Sequence, residues 1–201
     1  MLPPVYVFIG FVSSPGLKLF RLRARGLENL PEGGFVLAAN HLSNVDPWVI
    51  GMPLFPKRQV RFMAKAELFN PLLGPILHSC GAFPVRRGEG DAEAYETAVR
   101  LVRSGEIVAM FPEGTRRKKG FAKRRRPRPY TGTARIALAA DAPLVPAAIG
   151  GTDRLSRLGP LRVTFGKPLP LDDLRGRRRA EAARVATERL MEAIAQLEAS
   201  S

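Results

Sequence analysis

The chain has 201 residues, of which 45% are hydrophobic and 25% charged, so it is long and apolar enough for one globular domain with a sizeable core. Its formal net charge of +14 at pH 7 indicates an anionic partner, such as nucleic acid, anionic lipid or a phosphorylated small molecule. The single cysteine, Cys80, excludes a disulfide framework and a cysteine metal cluster, and two histidines are too few for a convincing zinc site.

Residues 1–20 combine aromatic and aliphatic side chains with a basic flank. The uninterrupted apolar run is shorter than the ~20 residues that a membrane-spanning helix needs, and it lacks the pattern of a secretory signal. Phe8, Phe11 and Phe20, with Lys18 and Arg21 close by, are typical of a helical segment that lies in the bilayer interface. The alternative is a helix packed on the domain's own core. We expect residues 1–20 to be a membrane-interface segment and residues 21–201 to form the main domain.

From residue 22 onward, short apolar runs alternate with helical patterns. Strands are expected at 22–27, 34–39, 60–64, 81–85, 107–111, 144–149 and 161–165. Helices are expected after residue 47 and at 71–79, 91–103, 132–140 and 177–197. This alternation predicts a single α/β domain with a mostly parallel central sheet flanked by helices.

A polar turn, residues 40–47, follows the buried strand at 34–39 and contains His41 and Asp46. On one regular helix, residues five apart would lie about 140° apart, but across a turn the two side chains can meet. A carboxylate bound to one imidazole nitrogen fixes the tautomer and leaves the other nitrogen free to take a proton. The alternative is that Asp46, directly before Pro47, is a helix N-cap.

Two further predicted strands also end in polar clusters. One is followed by Arg86 and Arg87, the other by Glu113, Gly114, Thr115 and Arg116. The carboxyl ends of parallel strands line one crevice, so a base, a carboxylate and cationic side chains would converge there. Arginine is suited to bidentate recognition of phosphate, although each of these arginines alone could be a solvated surface charge. The pattern predicts proton abstraction next to a bound phosphate.

These clusters resemble the motifs of the glycerolipid acyltransferases that make phosphatidic acid from lysophosphatidic acid. His41 and Asp46 match the H-x-x-x-x-D motif, and residues 81–88 are similar to the second motif, with Arg86 at its phosphate-binding arginine. Residues 111–116, Phe-Pro-Glu-Gly-Thr-Arg, match the third motif letter for letter, and residues 145–149 are similar to the fourth, proline-containing motif. The resemblance covers residues 20–165, with the motifs in the family's order. Pro146 is expected at a strand edge that lines the acyl pocket.

The resemblance implies an acyltransferase domain at 21–201 in which His41 takes the proton of an acceptor hydroxyl and Asp46 orients His41. The hydroxyl then attacks the thioester of acyl-CoA or acyl-carrier protein, and no cofactor or metal is required. Arg86, Glu113, Gly114 and Arg116, with Thr115 beside them, would hold the glycerol phosphate. Lys65, at a predicted strand end, is expected to stabilise the developing oxyanion. The alternative interpretation is that Lys65 is a solvated lysine at the end of a strand. The expected partners are the acyl thioester, a lysophospholipid acceptor and an anionic membrane surface at the cytoplasmic face of the cell membrane.

Two other interpretations stay open at this point. The same chemistry could act on glycerol 3-phosphate, another lysophospholipid or a glycolipid. A basic nucleic-acid-binding protein would use the run from Arg116 to Arg128. That run contains only Phe121 and the nearby Tyr130 as stacking aromatics, and nucleic-acid binding leaves the His, Asp and Glu cluster unused. We therefore expect no nucleic-acid partner.

Overall fold

The computed structural model describes residues 2–86, 91–114, 129–157 and 159–200. A seven-stranded sheet with strand order β1-β7-β6-β2-β5-β3-β4 forms its centre. The strands are β1 (Arg23–Arg25), β2 (Phe35–Ala39), β3 (Val60–Lys65), β4 (Ala82–Val85), β5 (Ile107–Met110), β6 (Leu144–Gly150) and β7 (Arg162–Phe165). The helices are α1 (Pro4–Leu19), α2 (Asp46–Gly51), α3 (Gly74–Ser79), α4 (Ala92–Arg103), α5 (Gly132–Ala140) and α6 (Arg179–Ala199).

Five neighbouring strands, β6, β2, β5, β3 and β4, run parallel, so their carboxyl ends share one edge of the sheet. β7 pairs with β6 in the antiparallel sense, and β1 pairs with β7 in parallel. The expectation of a single α/β domain with a mostly parallel sheet flanked by helices is confirmed. The edge that carries the ends of β2, β3, β4, β5 and β6 is called the site edge below.

Alternation along the central strands divides the core into two layers. Val36 and Ala38 of β2 face α4, α5 and α6. Phe35, Leu37 and Ala39 face α2 on the other side. All five residues of β2 are buried, as expected for a central strand covered on both faces by helices. Burial on both faces holds β2 rigidly, and this fixes the position of the turn that follows it.

Pro146 does not lie at a strand edge, which corrects the sequence expectation. β6 has β2 on one side and β7 on the other, and Pro146 pairs with Ala38 of β2. The ladder between β6 and β7 begins one residue later, with Ala147 opposite Phe165. The Pro146 carbonyl accepts a hydrogen bond from Gly166 N at 2.8 Å, just past the end of β7. An interior proline is tolerated here because the β6–β7 ladder does not include residue 146, so the missing N–H removes no hydrogen bond of that ladder.

Helix α1 contacts α2 and the segment after it through aromatic side chains. Tyr6 is buried and makes edge-to-face contacts with Trp48 and Phe55, and Phe11 makes a third with Phe55. Among the described residues, no helix is both long and apolar enough to cross a bilayer. The division at residue 20 into a membrane-interface segment and an acyltransferase domain stays a prediction.

Candidate active site

His41 and Asp46 meet across the turn that follows β2. Nδ1 of His41 lies 2.8 Å from Oδ2 of Asp46. The Asp46 side chain is fully buried, whereas the His41 side chain retains 13% exposure. Because Nδ1 is bonded to the carboxylate, Nε2 is the nitrogen left to exchange a proton with a substrate. The structure therefore brings together the two side chains for which the sequence predicted the roles of base and orienting carboxylate.

The Asp46 carboxylate binds the turn behind it and does not cap the helix in front of it. Oδ2 accepts hydrogen bonds from the backbone N–H groups of Leu42 (2.6 Å) and Ser43 (2.7 Å). Asp46 is the first residue of α2, Val45 occupies the N-cap position, and no side chain caps this helix. The N-cap alternative is therefore wrong. The same oxygen holds both His41 and the backbone that carries it, so the geometry of the pair is built into the turn.

Two polar residues that sequence reasoning left without a role complete this framework. Asn40 is fully buried, and its side-chain amide donates to Ile149 O at 2.9 Å and accepts from Ile149 N at 2.7 Å. It thus joins the end of β2 to β6 and does not bond His41. Thr152 is also buried, and its hydroxyl donates to Oδ1 of Asp46 at 2.5 Å. Its position two residues after the end of β6 was the signal that could have indicated this role.

An aromatic ring covers the imidazole. Phe111 stacks on His41 with ring centroids 4.3 Å apart and an interplanar angle of 20°. A ring stacked on the imidazole limits the rotation of the His41 side chain. Cys80 offers no competing nucleophile, because burial raises the pKa of its thiol and keeps the thiol protonated at neutral pH.

Lys65 and Arg86 lie at the ends of the neighbouring strands β3 and β4, on the site edge. Lys65 pairs with Val85, the residue before Arg86, and both cationic side chains are exposed. The Arg86 N–H donates to Oδ2 of Asp91 at 2.7 Å, and Oδ1 of Asp91 caps α4 through Ala94 N at 3.0 Å. These backbone hydrogen bonds hold the pKa of Asp91 below its usual value. Asp91 therefore ties the backbone of Arg86 to the start of a well-packed helix.

The segment after β5 carries the remaining predicted residues. Glu113 is 2% exposed, so its carboxylate is held inside the protein. Gly114 has φ +67°, a left-handed conformation that favours glycine, and a Cβ there would overlap the ring of Tyr130. Thr115 and Arg116 lie outside the described residues, as do Arg87 and the basic run up to Arg128. The structure thus places Glu113 and Gly114 shortly after Phe111, the residue that follows the end of β5.

Comparisons with known proteins agree with this geometry. A family model described as Acyltransferase matches residues 21–150. A 1-acyl-sn-glycerol-3-phosphate acyltransferase of Bacillus subtilis is 36% identical over 176 residues, covering 85% of each chain. A protein of the same name from Streptococcus pneumoniae is 30% identical, covering 70% of this chain but 52% of that protein.

The fold has a solved counterpart. The crystal structure of the 1-acyl-sn-glycerophosphate (LPA) acyltransferase PlsC from Thermotoga maritima superposes with a TM-score of 0.66 at 22% identity. The match covers 96% of this chain and 79% of that one, so the two share a fold. With the family model and the Bacillus relative, these findings show that the chain belongs to the acyltransferase family that includes the 1-acyl-sn-glycerol-3-phosphate acyltransferases.

Proposed function

We propose that this enzyme transfers an acyl chain from a thioester to the free hydroxyl of 1-acyl-sn-glycerol 3-phosphate, giving phosphatidic acid. The observation that carries the proposal is the His41–Asp46 pair, with Nδ1 held 2.8 Å from a fully buried carboxylate. The names of the relatives from two bacteria support the acceptor. The donor is acyl-CoA or acyl-carrier protein, and the reaction uses no metal or other cofactor.

In this mechanism, Nε2 of His41 takes the proton of the acceptor hydroxyl as its oxygen attacks the thioester carbonyl. The tetrahedral intermediate then collapses, the carbon–sulfur bond breaks, and the imidazolium returns the proton to the leaving thiolate. Asp46 holds the imidazole and stabilises its charged form. A general base of this kind contributes typically ~10²–10⁴-fold to the rate, and no acyl-enzyme is needed.

The acceptor phosphate is assigned to the cationic end of the site edge. Arg86, with Arg116 and Thr115 outside the described residues, supplies charge and hydrogen-bond donors for a phosphate. Gly114 lets the backbone approach the ligand, and the buried Glu113 supports the segment that faces the glycerol part. Lys65, exposed at the end of the neighbouring strand, stabilises the oxyanion of the tetrahedral intermediate.

The membrane partner is an anionic bilayer at the cytoplasmic face of the cell membrane. Helix α1 exposes an apolar stripe that spans a sector of about 60° at ~100° per residue. The stripe consists of Val5, Phe8, Val12 and Leu19, with Phe11 beside it. Helix α1 contacts α3, and the turn leading into α3 exposes Leu72 (80%) and Leu73 (43%). Two adjacent apolar surfaces suit a bilayer, where both the acceptor and the product reside.

Acyl transfer on vesicles tests this proposal. Radiolabelled acyl-CoA and acyl-carrier protein are each offered with lysophosphatidic acid, glycerol 3-phosphate, lysophosphatidylcholine or a glycolipid, and the lipid products are separated. We expect phosphatidic acid from lysophosphatidic acid at a rate at least about tenfold above that of every other acceptor. A higher rate with another acceptor would reassign the substrate, and no transfer to any acceptor by folded protein would remove the proposed function.

A further inference from the structure

The end of β6 reaches the catalytic pair from the strand next to β2. The Asn40 amide fixes Ile149 in register with the turn after β2. Three residues further on, the Thr152 hydroxyl donates to Oδ1 of Asp46 at 2.5 Å. Between them, Gly151 has φ +89°, and a Cβ there would press on the carbonyl of Pro160. The turn that presents Thr152 is therefore rigid and held from two sides.

The two oxygens of Asp46 have separate partners. Oδ2 lies next to Nδ1 of His41 and accepts hydrogen bonds from the backbone N–H groups of Leu42 and Ser43, whereas Oδ1 accepts one from the Thr152 hydroxyl. The carboxylate is fully buried, and an unpaired oxygen in that position would be costly. A carboxylate that lacked the Oδ1 partner would rotate towards other donors and weaken its hold on the imidazole.

We propose that Thr152 is a positioning residue for acyl transfer, whose hydroxyl fixes the rotation of the Asp46 carboxylate so that Oδ2 faces Nδ1 of His41. Thr152 acts through Asp46 and does not touch the substrate. It thereby holds His41 in the tautomer with Nδ1 protonated, which is the form whose Nε2 accepts a proton. The proposal rests on the proposed function for its kinetic consequences but not for its effect on the tautomer.

Three variants separate this role from simple packing. Thr152→Val removes the hydroxyl and keeps the shape, Thr152→Ser keeps the hydroxyl, and Thr187→Val is the matched control. Thr187 is equally buried, but its hydroxyl donates to Ala183 O within α6 at 2.6 Å, away from the site. Thr187→Val thus loses a buried hydroxyl of the same kind without touching Asp46.

We expect kcat of Thr152→Val to fall about tenfold, as for the loss of one hydrogen bond to a charged group, with KM changed less than about twofold. The acid limb of its kcat pH profile should move to lower pH, because a carboxylate that has rotated away from Nδ1 stabilises the imidazolium less well. Thr152→Ser should restore most of the rate, and Thr187→Val should leave the profile unchanged. Rates and pH profiles of folded Thr152→Val that match wild type would overturn the proposal.

A double-mutant cycle tests whether Thr152 works through Asp46. In an Asp46→Ala background, Thr152→Val should change the residual rate by less than about twofold. A further tenfold fall there would mean that Thr152 acts independently of the carboxylate.

A substrate-free measurement keeps this test separate from the proposed function. ¹⁵N NMR of the imidazoles reports the tautomer, and because the chain has two histidines, a His78→Gln spectrum assigns His41. Wild type, Thr152→Ser and Thr187→Val should show one tautomer, protonated at Nδ1, and Thr152→Val a mixture. A single unchanged tautomer in Thr152→Val contradicts the positioning role. If wild type is inactive but Thr152→Val shows the expected mixture of tautomers, only the proposed function is contradicted.

Discussion

At the scale of single residues, the proposed reaction requires a carboxylate at position 46, and we expect that its own amide cannot replace it. Asp46 accepts hydrogen bonds from His41, Leu42, Ser43 and Thr152. An asparagine at this position would turn its NH₂ group towards at least one of those donors. We therefore expect Asp46→Asn to lower kcat by about 10²–10⁴-fold and the free energy of unfolding by about 1–3 kcal/mol.

Steady-state kinetics and urea unfolding of the same preparation measure both effects. Thr187→Asn, which also places an amide in a buried position but away from the site, controls for the folding defect alone. A folded Asp46→Asn enzyme with near-normal kcat would show that the carboxylate does not serve His41.

Sequence pattern predicted that the His41 and Asp46 side chains meet, but it did not predict the hydrogen bonds that hold them. His41 and Asp46 are close along the chain, so a turn alone could bring them together. Asn40 and Thr152 act on partners more than 100 residues away, Ile149 and Asp46 respectively, and the pairing of β2 with β6 creates those contacts. Only the order of strands in the sheet reveals them, and that order was not predicted.

At the scale of elements, periodic patterns located the helices and buried strands well. The helix expected at 132–140 is present with those bounds, and the helix expected at 91–103 is present at 92–103, with Asp91 as its cap. The helix expected from residue 71 begins at Gly74 instead, since Asn70 Oδ1 accepts from Leu72 N and Leu73 N and holds a turn there. The antiparallel direction of β7 could not be predicted, because local apolar pattern does not specify which way a strand runs.

The Asp91 cap predicts a pH-dependent stability. The pKa of Asp91 in the folded protein lies below its usual value of 3.8, because the Arg86 and Ala94 N–H groups bind the charged form. The stabilisation is therefore present at neutral pH and is lost as the pH falls through the lowered folded value. We expect Asp91→Ala to be less stable than wild type at pH 7, with the difference shrinking below about pH 4.

Urea unfolding of both proteins across this pH range gives the comparison. Asp172→Ala, at the start of a one-turn 3₁₀ helix without a side-chain cap bond, is a suitable control. A stability difference between Asp91→Ala and wild type that stays constant down to pH 2.5 would show that the charge of Asp91 is not what caps the helix.

Two glycines with the same backbone conformation test how β1 is held. Gly26 and Gly33 have φ +77° and +76°, so alanine is strained at both. A Cβ at Gly26 would overlap the carbonyl oxygen of Phe165 at the end of β7, whereas a Cβ at Gly33 has open space. We expect Gly26→Ala to lower the free energy of unfolding by at least about 1 kcal/mol more than Gly33→Ala, measured by urea denaturation. Equal decreases in the free energy of unfolding would mean that the β1–β7 junction can accommodate a Cβ at residue 26 without further destabilisation.

At the scale of the whole molecule, catalysis and membrane contact are assigned to different parts of the surface. The site edge carries charged and polar side chains, whereas α1 and the turn before α3 expose apolar ones. The fold class and the contact between His41 and Asp46 could be predicted from sequence, because motifs and periodicity are local. The exposed leucines of the α3 turn could not, since the same apolar residues would suit a buried helix equally well.

Charge introduced into the apolar surface should weaken vesicle binding. We expect Phe8→Glu combined with Leu72→Glu to reduce co-sedimentation with phosphatidylcholine–phosphatidylglycerol vesicles at least about tenfold, because both side chains leave the bilayer interface. Leu27→Glu, at an exposed leucine outside α1 and α3, is the matched control and should bind like wild type. Unchanged binding of the double variant would locate the membrane contact elsewhere.

The most direct measurement is the initial rate of thioester-dependent acylation of lysophosphatidic acid by His41→Ala beside wild type, with circular dichroism to confirm that both are folded. If His41 is the general base, the variant should lose at least about 10²-fold in kcat while its KM stays within a few-fold of wild type. A folded His41→Ala protein that acylates lysophosphatidic acid within about threefold of the wild-type rate would contradict the assignment of His41 and Asp46 as the catalytic pair.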